Sequence, residues 1–433
     1  MELFLNKFGI ASLNAMQQET IKSIEAKSDV VLLSPTGTGK TLAFLLPLVR
    51  MLDTDSPEIQ MLILVPTREL AQQIEHVCRK MGSGFKVNAV YGGRSGFMDK
   101  MDLKHLPSIL IGTPGRIADR FRRDDFSLRH IKTLVLDEYD KSLEIGFEKD
   151  MEEIIGTLPN VQQRILTSAT SDSKLPKFVG LHKPVFINYL KEANIKLSIK
   201  ILSSPEKDKL NSLKKILRYI GEDPGIIFCN FKDSLQRVSD FLMQHDIAHE
   251  CFHGGMDQID REVTLIKFRN GTSQLLLATD LAARGLDVPE IHFILHYHLP
   301  LHAKEFTHRN GRTARMNSDG VAYVLKWKGE RLPDFVKASD SDHIDIESLQ
   351  KETKPFSRWQ TLHISGGRRD KISKGDVAGL FLKQGKIDKS KLGIIEIQQT
   401  CAYVAVHQDI LKELLPKVNN SKLKKKKVRI RCV

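Results

Sequence analysis

Short apolar runs punctuate the first 190 residues, and each is followed by a stretch whose apolar positions fall three or four apart. The runs predict strands near 30–33, 61–65, 87–91, 108–111, 133–136, 164–167 and 185–188, with helices such as 68–81 and 151–158 between them. Strands that alternate with helices form a parallel, doubly wound sheet. After a connector near 189–198 the rhythm repeats, with strands near 225–229, 249–253, 274–278, 292–296 and 320–325 and helices near 210–219, 232–245 and 257–270. A charged connector with one proline covers about 340–357. Beyond it lies a smaller β-α-β-β-α-β pattern over 361–365, 374–383, 394–397, 401–406, 409–415 and 427–432.

One stretch changes that picture from architecture to chemistry. Ser34-Pro35-Thr36-Gly37-Thr38-Gly39-Lys40-Thr41 follows the first strand and precedes an apolar helix. Backbone N–H groups of such a loop wrap phosphates, and the following helix N-terminus favours negative charge. Lys40 would reach the terminal phosphates and the Thr41 hydroxyl would hold Mg²⁺. Ser34 stands where this loop usually begins with glycine, and its small side chain should leave the loop intact. Read alone, the stretch is also a Gly-rich turn before an ordinary helix. Asp137 and Glu138 follow the strand at 133–136, at the end of a strand that such folds place beside the phosphate loop. Asp137 would hold Mg²⁺, and Glu138 could orient and deprotonate the attacking water.

Composition narrows the class. At 433 residues there is room for two or three domains, and 41% hydrophobic with 27% charged residues describes a globular chain. No run approaches the ~20 apolar residues of a membrane span, and the N-terminus carries no secretory pattern. Five scattered cysteines without a C-x-x-C argue against zinc or a disulfide framework and for the cytoplasm. The net charge of +13 is local: residues 351–433 hold 20 Lys/Arg against 7 Asp/Glu, and the rest of the chain holds 46 of each. A basic end on a neutral body reads as an appended polyanion binder, or as a solvated lysine tail.

Many ordered segments together resemble the DEAD-box RNA helicases over about residues 9–330. They are 34–41, Pro66-Thr67-Arg68-Glu69-Leu70-Ala71, Gly92-Gly93, Thr113-Pro114-Gly115-Arg116, Asp137-Glu138-Tyr139-Asp140 and Ser168-Ala169-Thr170. In the second half come 226–232, Gln258 with Arg261, 278–287, and His308-Arg309-Asn310-Gly311-Arg312-Thr313-Ala314-Arg315. The resemblance implies two tandem RecA-like parallel-sheet domains. It implies ATP and Mg²⁺ as cofactors, with Lys40, Asp137 and Glu138 catalytic and Thr41 and Asp137 as metal ligands. Gln17, Ser34, Thr36, Gly37, Thr38, Gly39, Lys40, Thr41 and Asp287 would bind nucleotide. Arg312 and Arg315, catalytic as well, would reach across to the γ-phosphate. An RNA track is implied at Pro66, Thr67, Arg68, Gly93, Thr113, Pro114, Gly115 and Arg116, continuing at Arg261, Thr279 and Gly285. Ser168, Thr170 and His308 would couple nucleotide to RNA. The segment around Gln17 lacks the prolines usual in the family's adenine-reading motif, and Gln18 is adjacent. Tyr139 replaces the family's alanine and would need extra room between the lobes.

Residues 359–433 resemble the RNA-binding domain of DbpA-type helicases through 364–377, 393–397 and 401–406, and their element order fits a small RRM-like, ferredoxin-like α+β domain. Arg368, Arg369, Lys371 and Lys374 would carry its RNA contacts, with Tyr403 and Trp359 as the stacking aromatics in view. The expected division is 1–190 and 199–345 for the RecA-like domains, 346–358 for a linker and 359–433 for the RNA-binding domain. The expected activity is that of an ATP-dependent RNA helicase, a cytoplasmic monomer without membrane association, that locally unwinds short duplexes. The resemblance implies large-subunit ribosomal RNA as target and ribosome assembly as setting. Two other readings share the motifs: an ATP-gated RNA clamp with little unwinding, and a DNA-directed motor of the same superfamily.

Overall fold

The computed structural model describes residues 2–93, 96–123, 127–170, 175–190, 197–280, 291–313, 319–337, 342–350, 353 and 355–433. The described residues up to 190 form one compact unit and those from 197 onward another.

The first unit is a seven-stranded sheet. Its strands are β1 (Val30–Leu33), β2 (Met61–Leu64), β3 (Val87–Val90), β4 (Ile109–Gly112), β5 (Thr133–Leu136), β6 (Gln163–Ser168) and β7 (Val185–Asn188). They lie in the order β3-β4-β2-β5-β6-β1-β7, and every pairing is parallel. The helices are α1 (Glu2–Phe8), α2 (Ala15–Glu25), α3 (Lys40–Arg50), α4 (Arg68–Met81), α5 (Gly96–Leu103), α6 (Pro114–Arg123), α7 (Tyr139–Ile145) and α8 (Glu148–Gly156). Strand side chains alternate between two apolar layers. Val30, Leu32, Met61 and Ile63 enter one core cluster, and Val31, Leu62 and Leu64 the other. Both faces are therefore covered, and the strands read as unbroken apolar runs for that reason.

The second unit repeats the plan with β8 (Leu197–Ser204), β9 (Gly225–Phe228), β10 (Glu250–Phe252), β11 (Leu275–Ala278), β12 (Phe293–His296), β13 (Gly320–Trp327) and β14 (His343–Asp345). Their order is β10-β11-β9-β12-β13-β8-β14, again all parallel. Helices α9 (Leu210–Ile220), α10 (Lys232–Gln244), α11 (Gln258–Arg269) and α12 (Ala303–Asn310) accompany it. Part of the stretch expected as a charged connector belongs to this sheet. β14 pairs with β8, and Ile346 is buried beside it.

The same unit ends in a small antiparallel sheet of β15 (Trp359–Ile364), β16 (Leu392–Ile397), β17 (Ala402–His407) and β20 (Ile430–Cys432), ordered β16-β17-β15-β20. A hairpin of β18 (Lys422–Leu423) and β19 (Lys426–Lys427) precedes the last strand. With α13 (Lys374–Gly379) and α14 (Leu411–Val418), this is the split βαβ arrangement of a ferredoxin-like fold. The small sheet is pinned to α11 and the turn after it. Arg269 forks onto Glu396 at 2.9 and 2.8 Å, and Asn270 and Thr272 both meet the Thr361 hydroxyl. Ser357 donates to the Gly271 carbonyl. Trp359 lies 3.4 Å from where a Cβ on Gly271 would be and about 3.1 Å from one on Gly393. That aromatic is packing material between two parts of the unit. Tyr403 is buried against His363. Neither of these two candidate aromatics is displayed as a stacking platform, which leaves the basic residues as the expected RNA contacts.

Candidate functional site

The phosphate loop spans β1 and α3. Gly37 and Gly39 hold φ of 80° and 87°, a left-handed conformation that favours glycine. A Cβ on Gly39 would fall 2.4 Å from the Gln17 amide nitrogen. Ser34, the departure from glycine, fits: its hydroxyl pairs with that of Thr38 at 2.8 Å, and its N–H donates to the Ser168 carbonyl at 3.1 Å. The Lys40 ammonium is folded onto the Ser34 and Pro35 carbonyls at 2.5 and 2.8 Å. It thus lies inside the loop, where a polyphosphate would meet it. Thr41 opens the first turn of α3.

The two candidate glutamines are separated by their surroundings. Asn14 caps α2 and accepts from the Gln17 N–H, while the Gln17 side chain accepts from the Asn14 N–H. Gln17 also donates to the Gly39 carbonyl at 3.3 Å, and Asn14 donates to that of Thr38 at 3.2 Å. Gln17 is buried against the loop, whereas Gln18 points to solvent and bonds Leu13. Asn14 was not singled out by sequence reasoning. Its signal is the N-cap position itself, an Asn three residues before a Gln.

Asp137 and Glu138 leave β5 next to the loop's strand neighbour β6. Asp137 is buried, and its carboxyl is pushed up to about 6 by that burial first and by Glu138 second. The Thr167 hydroxyl donates to it, and the Lys40 charge lowers it again. A buried carboxylate held this way, with the Thr41 hydroxyl, supplies the hard oxygen donors that Mg²⁺ takes. Glu138 sits at φ 50°, ψ 49°, a strained conformation for a residue with a Cβ, and its N–H donates to Thr167 Oγ1 at 3.1 Å. Thr167 is the residue that joins both acids, and it lies immediately before the Ser168-Ala169-Thr170 segment. That segment is wired to the same place: Thr170 donates to Asp140 at 3.0 Å, and the Ser168 hydroxyl donates to the Thr170 carbonyl at 2.8 Å.

Tyr139 corrects one expectation. Its side chain needs no room outside its own unit, because it is 2% exposed within the apolar cluster of the first sheet. Burial, then the Asp140 charge, raise its phenol to about 12.

Of the residues expected to meet RNA in the first unit, Thr67 caps α4 by accepting from the Leu70 N–H at 3.2 Å. The Arg68 guanidinium packs against Gly92, and Gly93 is exposed at φ 87°. Pro114, Gly115 and Arg116 form the first turn of α6 rather than a free turn. Arg116 is already engaged by Asp99 at 2.7 Å and Asp119 at 3.6 Å, partners the sequence did not announce.

In the second unit, Thr279 follows β11 and Arg261 lies on α11 with its guanidinium 4.6 Å from the centre of the Phe252 ring. His308 and Arg312 are both buried, at 7% exposure each. Arg309 was overlooked, although it stands inside the same segment. It is 2% exposed, forks onto Asp280 at 2.6 and 2.6 Å, and reaches Asn230 at 2.8 Å and the His298 carbonyl at 2.6 Å. Gly285, Asp287 and Arg315 lie outside the described residues. In the small sheet, Arg368, Arg369, Lys371 and Lys374 are all exposed along one turn into α13.

The chain matches the DEAD/DEAH box helicase family over residues 14–178, the helicase conserved C-terminal domain over 208–317 and the DbpA RNA-binding domain over 361–432. It is 31% identical to the ATP-dependent RNA helicase DbpA of Escherichia coli, over 99% of this chain and 96% of that protein. It is 30% identical to the DbpA of Bacillus subtilis, over 98% and 96%. Among solved structures it resembles the DEAD-box helicase Mss116 bound to single-stranded RNA and UDP-BeF. That likeness has a TM-score of 0.68 and 30% identity, over 75% of this chain and 72% of that one.

Proposed function

The chain belongs to the DEAD-box family of ATP-dependent RNA helicases, in its DbpA type, and from that premise we propose that it locally unwinds short duplexes in large-subunit ribosomal RNA during ribosome assembly. The observation that carries the chemistry is the hydrogen-bonded chain joining the phosphate loop to both acids: Ser34 to Ser168, and Thr167 to Asp137 and Glu138.

Lys40 would leave its two carbonyls for the phosphates, and the loop N–H groups would follow the phosphate oxygens. Thr41 and Asp137 would hold Mg²⁺, which neutralises charge on the phosphates when bound. Glu138, fixed by its N–H on Thr167, would orient the attacking water and take its proton. Gln17 would join the nucleotide site from α2, together with Asp287. Arg312 and Arg315 would stabilise charge developing on the γ-phosphate. Pro66–Arg68, Gly93 and 113–116 would hold the RNA backbone, with Arg261, Thr279 and Gly285 as its continuation. Ser168, Thr170 and His308 would link the two occupancies. The exposed basic turn at Arg368, Arg369, Lys371 and Lys374 would select the target. We assign these roles to a cytoplasmic monomer, with the divisions 1–190, 199–345 and 359–433 as the working parts.

The test is ATP turnover by the intact chain with a large-subunit ribosomal RNA fragment, an unrelated RNA and DNA, all of matched length, beside displacement of a short duplex. The ribosomal fragment should stimulate most, and ATP should accelerate displacement. Equal stimulation by both RNAs would remove the ribosomal target, and turnover without displacement would favour the clamp.

A further inference from the structure

One exposed aromatic side chain stands on the surface assigned above to RNA. Sheet order in the second unit sets β10, β11 and β9 side by side, so the loops after them share one edge. This is the carboxyl end of a parallel sheet, where ligands of such folds bind. The first loop carries His253, the second Thr279 and the third Asn230-Phe231-Lys232. Hydrogen bonds stitch the edge together: the Thr279 N–H donates to the Phe252 carbonyl, and the Cys229 N–H to that of Ala278.

Phe231 is 67% exposed. Isolated apolar residues on a surface are ordinary, but two features set this one apart. First, its neighbours on both sides are anchored. Asn230 donates to the Leu299 carbonyl at 2.9 Å and accepts from the buried Arg309 at 2.8 Å, and α10 begins directly after Phe231. The ring is therefore presented on a fixed stem, at ordinary extended angles of −127° and 149°. Second, two cationic side chains, Lys232 and Arg261, belong to the same sheet edge. The Lys232 ammonium lies 3.2 Å from where a Cβ on Gly255 would be, and the His253 ring nitrogen 3.4 Å. Arg261 reaches into the same edge over the Phe252 ring. An apolar, π-faced surface among Lys and Arg groups suits a nucleobase attached to its phosphate.

We propose that Phe231 is a stacking platform for one unpaired base of the bound RNA strand. The proposal rests on the assignment of Arg261 and Thr279 to the RNA track and adds a contact to the base face. Such a stack tolerates any base, because every base has a π face. It would favour a strand whose bases are unstacked over one held in a duplex.

The experiment measures affinity of the full chain for two labelled oligonucleotides of equal length, oligouridylate and its abasic counterpart, in a non-hydrolysable ATP analogue. Phe231→Ala should weaken oligouridylate binding about tenfold, the scale of one base–aromatic stack, and leave the abasic strand unchanged. Phe231→Leu keeps apolar bulk and should lose as much. Phe231→Trp should retain affinity, with its added indole emission quenched on binding. Equal affinity of the wild type and Phe231→Ala for oligouridylate would overturn the proposal, as would an equal loss on both strands. Arg261→Ala separates the two levels. If it weakens both strands while Phe231→Ala changes neither, the track stands and the stack falls. If Arg261→Ala also changes neither, the track assignment itself is wrong.

Discussion

Lys40 and Lys374 are both assigned to phosphate, yet they are built in opposite ways. Lys40 is 8% exposed, and its ammonium rests on two carbonyls of the loop it belongs to. The loop's glycines, the Thr38 hydroxyl, Gln17 and Ser168 then fix that loop. Lys374 and its neighbours Arg368, Arg369 and Lys371 lie open on a surface turn. In the first case position is enforced by packing, and one wrong atom disables the whole. In the second, charge is displayed at the surface, and the four residues should contribute nearly additively. The contrast is between preorganised chemistry and additive electrostatics.

Removing a member of the preorganised nucleotide site should produce the largest effect. Lys40→Ala or Glu138→Gln is expected to lower RNA-stimulated phosphate release by about 10²–10³-fold, with RNA binding by the basic turn preserved. Phosphate release at saturating RNA is the measurement. A fall of only a few-fold would show that the loop is no more preorganised than the surface.

Asp137 tests the same region through stability. Its folded carboxyl is raised from 3.8 to about 6, chiefly by burial. Such a group holds its proton more tightly when folded, so stability is present below 3.8 and is lost as pH rises towards 6. The gap corresponds to roughly 3 kcal/mol by pH 7. Asp137→Asn should therefore abolish turnover yet raise the melting temperature of the nucleotide-free protein at pH 7. Its advantage over the wild type should shrink towards zero near pH 4. Melting both proteins across that range checks it, and a constant difference would mean that the carboxylate carries no burial cost.

At the exposed turn, the joint replacement of Arg368, Arg369, Lys371 and Lys374 by alanine should act through salt. Each lost phosphate contact on a single strand removes about 0.7 from the log–log slope of affinity against salt concentration. The slope should flatten by about 3, with turnover at saturating RNA nearly unchanged. Titrations at several salt concentrations read it. An unchanged slope would assign this turn to the solvated tail.

The same contrast explains what the sequence made legible. The loop at 34–41 could be read because Gly37, Gly39 and Lys40 are each required by the backbone or by charge, at fixed spacing after an apolar run. The doubly wound sheets could be read because strands covered on both faces are continuous apolar runs. β14 could not, since His343-Ile344-Asp345 has one apolar residue and joins the sheet only by pairing with β8. Arg116 was legible as a cation but not its tie to Asp99, which depends on how α5 and α6 pack. Trp359 showed an aromatic in a basic domain, and only the structure shows it wedged between Gly271 and Gly393.

The ion pair beside that wedge gives the smallest expected effect and bears directly on the comparison, because it helps decide whether the exposed turn acts alone or moves with the parallel sheet of its own unit. Arg269 and Glu396 are both about a quarter exposed, at 27% and 25%, so water screens their attraction. Their fork is bidentate, which favours the geometry, but the neighbouring Asn270, Thr272 and Ser357 bonds also hold the small sheet in place. A double-mutant cycle with Arg269→Ala and Glu396→Ala should thus give a coupling of about 0.5–1 kcal/mol in thermal or denaturant melts. Single loss of either partner should leave one cooperative transition. If either variant instead splits the transition in two, the ion pair holds the RNA-binding sheet by itself, and the surface charges are less independent than the basic turn suggests.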